Sequence, residues 1–118
     1  MAGSAARKNG KKSVSCPVES TLAAIGGRWK VLVIYHLLNG TQRFGELSRL
    51  LGGVSARTLT RQLRELEESG IIDRYVHQQI PPKVEYSLTS LGRKLTPVLS
   101  AMHDWAEEVE KSRKRAKA

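Results

Sequence analysis

FGELSRLLGGVSARTLTRQLRELEESG, residues Phe44 to Gly70, has the spacing of two helices joined by a short turn. The first is expected from about Phe44 to Leu51, the turn at Gly52-Gly53-Val54, and the second from Ser55 to a stop at Gly70. Ser55 suits an N-cap, because its hydroxyl can accept from an orphan backbone N–H of the first turn. Gly70 suits the position after the C-cap, because it reaches left-handed dihedrals at no steric cost. Leu59, Leu63 and Leu66 fall at i, i+4 and i+7 and share one face. Arg57, Arg61 and Arg64 have the same spacing and point nearly the opposite way. No acid occurs from Ser55 through Arg64. Helix-turn-helix units that dock on DNA have this shape: the N-terminal residues of the second helix reach base edges, and the helix dipole favours phosphate there. An ordinary amphipathic helix with a solvated basic face carries the same two stripes, so the rest of the chain has to weigh in.

With 118 residues the chain is expected to be one domain with a small core. It is 40% hydrophobic and 26% charged, the balance of a globular protein. No apolar run approaches the roughly 18 residues of a membrane span. The bases at the N-terminus are not followed by an apolar segment, which is not the pattern of a signal peptide, and one cysteine cannot close an internal disulfide. A cytoplasmic protein is expected. The net charge of +9 is carried by the two ends. Arg7, Lys8, Lys11 and Lys12 give residues 1–14 a charge of +4, and Lys111, Arg113, Lys114, Arg115 and Lys117 give residues 111–118 a charge of +5. The expected organisation is a disordered basic tail over 1–14, a folded domain over 15–110 and a basic C-terminal tail over 111–118. Such ends attract phosphate without regard to sequence, and they are also the composition of plain solvated termini. The argument for DNA therefore rests on the charge pattern inside the neutral domain.

Cys16-Pro17 opens a first helix, with proline well placed at the first helical position. Val18, Leu22 and Ile25 form its apolar stripe, and Gly26-Gly27 ends it. Arg28 to Asn39 is expected as the central core helix, with Trp29, Val33, His36 and Leu37 on one face. Gln42-Arg43 leads into the opening helix pair, whose first member should bury Phe44, Leu47, Leu50 and Leu51. After Gly70 the period changes to two: Ile71 to Gln78 and Lys83 to Thr89 read as strands, the second alternating Val84, Tyr86 and Leu88 with Lys83, Glu85 and Ser87. Gln79-Ile80-Pro81-Pro82 fits a stiff hairpin tip. A hairpin directly after a recognition helix is a wing, and Arg74, His77, Gln78 and Lys83 are its polar residues available to DNA. A plain hairpin covering the core is the simpler alternative. Thr89 or Ser90 can cap a last helix from about Leu91 to Lys111, kinked at Pro97. Its apolar residues Leu91, Leu95, Val98, Met102, Trp105 and Val109 are spaced 4, 3, 4, 3, 4, a heptad seam that favours a second copy of the same helix as partner, with packing on its own domain as the alternative. The fold class is α+β, mainly helical: a winged helix-turn-helix with a two-stranded wing and terminal dimerisation helices.

The order of motifs resembles the HxlR-type winged helix-turn-helix transcriptional regulators over roughly Cys16 to Trp105. The resemblance is carried by Cys-Pro near the start, Gly-Gly-Arg-Trp, Phe-x-Glu-Leu, Leu-Thr-x-x-Leu-Arg-x-Leu and Pro-x-Val-Glu-Tyr-x-Leu-Thr. It implies a homodimeric bacterial DNA-binding protein on a (pseudo)palindromic operator. The recognition helix would enter the major groove through Ser55, Arg57, Thr58, Thr60 and Arg61, with the wing role at Lys83 and its neighbours; Arg64, Arg43 and His77 are further DNA-binding candidates beside those the resemblance implies. The terminal helices would build the dimer through Val18, Leu22, Leu95, Val98, Met102, Trp105 and Val109. The lysine-rich stretch after Glu110 is outside the family pattern.

Several regulators of this kind look like sensors of electrophiles or disulfide stress through an N-terminal cysteine, and Cys16 stands at that place. Independently, the start of a helix stabilises a thiolate, and Lys11 and Lys12 lie close in sequence. Without a second cysteine the routes are a disulfide between subunits, a mixed disulfide with a small thiol, or an adduct with a thiol-reactive small molecule. A buried, inert cysteine is the alternative. His36, His77 and His103 lack metal-ligand spacing, and no phosphate loop or nucleophilic triad has a case, so neither a cofactor nor an enzyme is expected. The competing classes are a winged-helix protein–protein interaction module and a non-specific architectural DNA binder.

Overall fold

A computed structural model describes residues 16–117. The sequence expectation of a disordered tail over 1–14 falls outside them. Helices α1 (Pro17–Ile25) and α2 (Trp29–Leu37) lead to a two-residue strand β1 (Gln42–Arg43). Helices α3 (Phe44–Leu51) and α4 (Ala56–Glu68) follow, then strands β2 (Ile72–His77) and β3 (Lys83–Leu88), a short helix α5 (Ser90–Arg93) and a long helix α6 (Thr96–Lys117). This is the winged helix-turn-helix expected, with one addition. The sheet has three strands, not two, in the order β1-β3-β2, all antiparallel. β1 escaped the sequence reading because two residues display no period; only their pairing, Gln42 with Tyr86 and Arg43 with Glu85, makes them a strand.

The helix pair is set by local signals. Ser55 Oγ accepts from the Thr58 N–H at 3.0 Å and starts α4. At its other end the Ile71 N–H donates to the Leu66 carbonyl and the Gly70 N–H to the Glu67 carbonyl, both at 3.0 Å, with Gly70 at φ 81°. That two-bond closure satisfies orphan carbonyls and aims the chain directly into β2. The core forms where α2, α3 and α4 meet the inner face of the sheet: Val33, Ile34 and Leu37, then Leu47 and Leu51, then Leu59, Leu63 and Leu66, against Ile72, Tyr86 and Leu88. Truncating any of the fully buried leucines to alanine should cost about 2–5 kcal/mol. Thr89 welds the last corner, its hydroxyl bonding the Gly70 carbonyl at 2.6 Å and accepting from the Gly92 N–H at 3.0 Å. A Cβ on Gly92 would lie 2.3 Å from the Ile71 carbonyl oxygen, so only glycine lets α5 sit against the corner between α4 and β2.

Three side-chain expectations are corrected. In α2 the buried set is Val33, Ile34 and Leu37; His36 is only half-buried and stacks edge-on against Tyr35, because core packs on two sides of this helix. Leu50, expected inside, is 49% exposed at the edge of the stripe that Leu47 and Leu51 centre. The terminal helix is broken, not kinked: α5 ends at Arg93, and Pro97 sits in the first turn of α6, where a missing N–H costs nothing. Helix α6 then carries on through residues 111–117. No helix among the described residues is long and apolar enough to cross a membrane.

Candidate nucleic-acid interface

The exposed side of α4 is a row of cations. Arg57, Thr60, Arg61 and Arg64 are all exposed and, with Ala56, line an open concavity of about 520 Å³. Among the described residues none of these guanidinium groups has a carboxylate within ion-pair reach. Ser55 is exposed but spends its hydroxyl on the cap, and Thr58 is half-buried beneath the row. The first acid of the helix, Glu65, faces away. Its carboxylate takes a 2.7 Å ion pair from Lys30 of α2, and that hydrogen bond, with the charge of Lys30, holds Glu65 below the usual carboxylate range. Among the described residues the row itself is free of ion pairs, while the charge of Arg61 also acts on Glu65 and Glu67 lines the same cleft as Arg64.

The sheet divides the expected wing residues between two faces. On the inner face, Arg74 pairs across the strands with Tyr86 and shares a cleft of about 350 Å³ with Thr60, Leu63, Arg64 and Glu67. On the outer face lie Arg43, Tyr75, Glu85, His77 and Lys83, fixed by the registers Arg43–Glu85, Tyr75–Glu85 and His77–Lys83. Glu85 is the hub. His77 Nε2 lies 2.7 Å from one of its oxygens and Lys83 Nζ 3.6 Å from the other. The His77 hydrogen bond, then the Lys83 charge, holds the Glu85 carboxyl below its ordinary range, against the opposing effect of partial burial. Tyr75 stands exposed with its ring edge-on to His77 at 4.6 Å. Arg43 remains exposed, its backbone N–H donating to Glu46 at 2.8 Å and so fixing the start of α3.

The expected site residues thus form two groups: a row on α4 joined by Arg74, and a wing cluster in which His77 and Lys83 are already engaged. The sequence reading named Arg74 among the wing residues and passed over Glu85. The alternation in Lys83 to Leu88 did place Glu85 outward. That it would meet His77 depends on the hairpin register, which no single strand displays.

The residues expected at a dimer interface are solvent-facing. Val18 and Leu22 of α1 are 64% and 61% exposed, Val98 and Met102 are exposed, and Trp105 is 71% exposed. Leu95 and Val109 are half-buried, Leu95 against the core. The residue of α6 that is buried, Leu99, is one the heptad seam leaves out, because it turns inward to the domain. Beside it an apolar groove of about 220 Å³ runs between α2 and α6, lined by Val31, Leu32, Tyr35, Met102 and His103. Cys16 precedes α1 as its N-cap, exposed, with its carbonyl accepting from the Glu19 N–H at 2.9 Å. His103 touches Asp104 through Nδ1 at 3.5 Å and Glu107 through Nε2 at 3.7 Å. Opposite ring nitrogens serve the two acids, an imidazole bridging two carboxylates on a helix surface.

Comparison with known proteins identifies the family. The family model described as HxlR-like helix-turn-helix matches residues 24–114. An uncharacterised HTH-type transcriptional regulator of Bacillus subtilis, YdeP, is 55% identical over 93 residues, covering 79% of this chain and 73% of its own. The redox regulator HypR superposes in its reduced form with a TM-score of 0.80 at 47% identity, covering 85% of this chain and 99% of its own. In its oxidised form the TM-score is 0.76 at 52% identity, covering 79% and 96%. The reduced transcriptional regulator YodB from B. subtilis gives a TM-score of 0.71 at 36% identity, covering 80% and 94%.

Proposed function

Because the chain belongs to the HxlR-like helix-turn-helix family of transcriptional regulators, we propose that it acts as a homodimer that reads a specific, two-fold symmetric DNA operator. The observation that carries this is the row of Arg57, Arg61 and Arg64, none of them in an ion pair among the described residues, on the exposed side of a helix whose other side is the domain core. A helix held by three buried leucines presents that row rigidly, and arginine is the side chain that pairs bidentately with guanine in the major groove. Thr60 sits among the arginines, where its hydroxyl can meet phosphate, while the Ser55 hydroxyl caps the helix start. Arg74 and the wing tip would follow the backbone or the flanking minor groove. Val18 and Leu22 with Val98, Met102 and Trp105 are the apolar surface for a second copy. Two recognition helices so related call for half-sites about one helical turn, or 34–36 Å, apart.

The regulation proposed runs through Cys16. Its Sγ can attack a small disulfide, forming a mixed disulfide and releasing one thiol, or add to an electrophile. Two Cys16 thiols can also be joined across a dimer, losing two protons and two electrons to an oxidant such as a peroxide. The redox naming of HypR supports this route, as does the exposure of Cys16 at the start of α1, a helix of the proposed interface. The test is a fluorescence-anisotropy titration on the DNA upstream of the gene against a scrambled duplex, with reduced and with oxidant-treated protein. Selective binding that oxidation alters and reductant restores is expected. Selective binding indifferent to oxidation removes the thiol switch, and equal binding to both duplexes replaces the specific regulator with an architectural binder.

A further inference from the structure

Arg74 stands where β2 turns toward the core. The inner positions of that strand are Ile72, Arg74 and Val76, paired across to Leu88, Tyr86 and Val84. Ile72, Leu88 and Tyr86 are buried, yet Arg74 between them is exposed. Facing it, Thr60, Leu63, Arg64 and Glu67 fall at i, i+3, i+4 and i+7 and form one strip of α4. Strip and strand pair enclose the cleft of about 350 Å³, whose buried members are Leu63 and Tyr86. Its two guanidinium groups have no carboxylate within ion-pair reach among the described residues, although Glu67 lines the same cleft. Tyr86 is 8% exposed, and its hydroxyl has no hydrogen-bond partner among the described residues; the Thr60 hydroxyl has none either. Buried polar groups are nearly always bonded, so an unpartnered one beside two unpaired cations marks a place prepared for something else.

We propose that this cleft is an effector site for a small hydroxylated phosphate monoester, of the sugar-phosphate kind. Arg64 on the helix and Arg74 on the strand take the phosphate between them as two forked donors, and two guanidinium charges suit a dianion. The Tyr86 and Thr60 hydroxyls donate to the same group or to the ester's own oxygens. Glu67 decides between a small ester and the DNA backbone. A carboxylate in the wall repels a run of phosphates but accepts from free hydroxyls, which a sugar phosphate carries and a DNA strand does not. The site shares Thr60 and Arg64 with the arginine row. A bound ester therefore withdraws two residues from DNA and sets negative charge beside the groove, so ester and operator each lower the other's affinity by the same factor. That coupling rests on the operator reading above; binding of the ester to the free protein does not.

Isothermal titration calorimetry of the full chain without DNA tests the site, using ribose 5-phosphate, glucose 6-phosphate and glycerol 3-phosphate, with inorganic phosphate and glucose as controls. At least one ester should bind saturably, one per chain, more tightly than inorganic phosphate, while glucose should not bind. Arg74→Gln should weaken that binding about tenfold or more, and Tyr86→Phe, which keeps the buried ring, roughly threefold. Arg49→Gln, on α3 and outside the cleft, should leave it unchanged. In an anisotropy titration on operator DNA the same ester should weaken the wild type and have little effect on Arg74→Gln. Failure of all three esters to bind more tightly than inorganic phosphate overturns the site, while selective DNA binding in the same preparation keeps the regulator. Ester binding that both cleft variants leave untouched overturns the assignment to this cleft. Ester binding that leaves operator affinity unchanged overturns the effector role. Cleft-dependent ester binding in a chain that shows no selective DNA binding supports the site and removes the operator reading instead.

Discussion

Arg57 and Arg61 have no carboxylate within ion-pair reach among the described residues, and a rigid helix stands behind them. If either makes a bidentate base contact, its replacement by alanine should weaken specific binding by about 1–3 kcal/mol while leaving affinity for a scrambled duplex little changed. An anisotropy titration on both duplexes reads the difference, and unchanged affinity in both variants removes α4 as the reading helix. Glu85 is the opposite kind of residue. It occupies His77 and Lys83, two of the polar wing residues the sequence offered to DNA, and holds them against the sheet. Glu85→Gln should release Lys83 toward phosphate, tightening binding to any duplex and steepening the slope of log affinity against log salt by roughly one. A slope that does not move would show that the wing stays clear of the backbone.

At the scale of elements, the tie between α2 and α4 depends on pH. Lys30 holds Glu65 below its ordinary range, so Glu65 is ionised in the folded chain at acidities where it is protonated in the unfolded one. Its stabilisation is complete above the unfolded value and is lost as pH falls through the folded value. Glu65→Gln should therefore lower the urea midpoint at pH 7, and the gap to wild type should close as pH drops below the carboxylate range. A gap that persists in acid would point to lost packing and not to the ion pair. The elements that could be read directly from sequence are those bounded by their own chemistry: α3 and α4 lie where Ser55, Gly70 and the leucine stripes put them, and β3 shows its alternation openly. What could not be read depends on partners distant in sequence. β1 exists only because Tyr86 and Glu85 lie beside it. Ile34 is buried because core reaches α2 from two sides. Leu50 and His36 differ from buried neighbours by one step around a helix. Pro97 was placed inside a helix that in fact begins there.

On the proposed reading, recognition and association fall on different elements: the arginine row on α4 and the wing on one hand, the exposed seams of α1 and α6 on the other. The site's residue types were legible before its geometry. Arginines at i, i+4 and i+7 announce a cationic row, but nothing in the order of residues says that Arg74 joins it and that Lys83 does not. If the homodimer is the binding unit, inserting five base pairs between half-sites should turn one of them to the far side of the duplex and sharply weaken binding, while ten should restore much of it. Equal affinity at every spacing would mean that the protomers bind independently. The two tryptophans also stand in contrasting surroundings. Trp29 is half-buried under the Arg28 guanidinium at 4.3 Å, whereas Trp105 is largely in water. With Trp29→Phe, the remaining fluorophore should emit to the red when the chain is dilute. As a second chain covers it, its emission should move to the blue and resist acrylamide quenching, so the protein carries its own optical gauge of assembly.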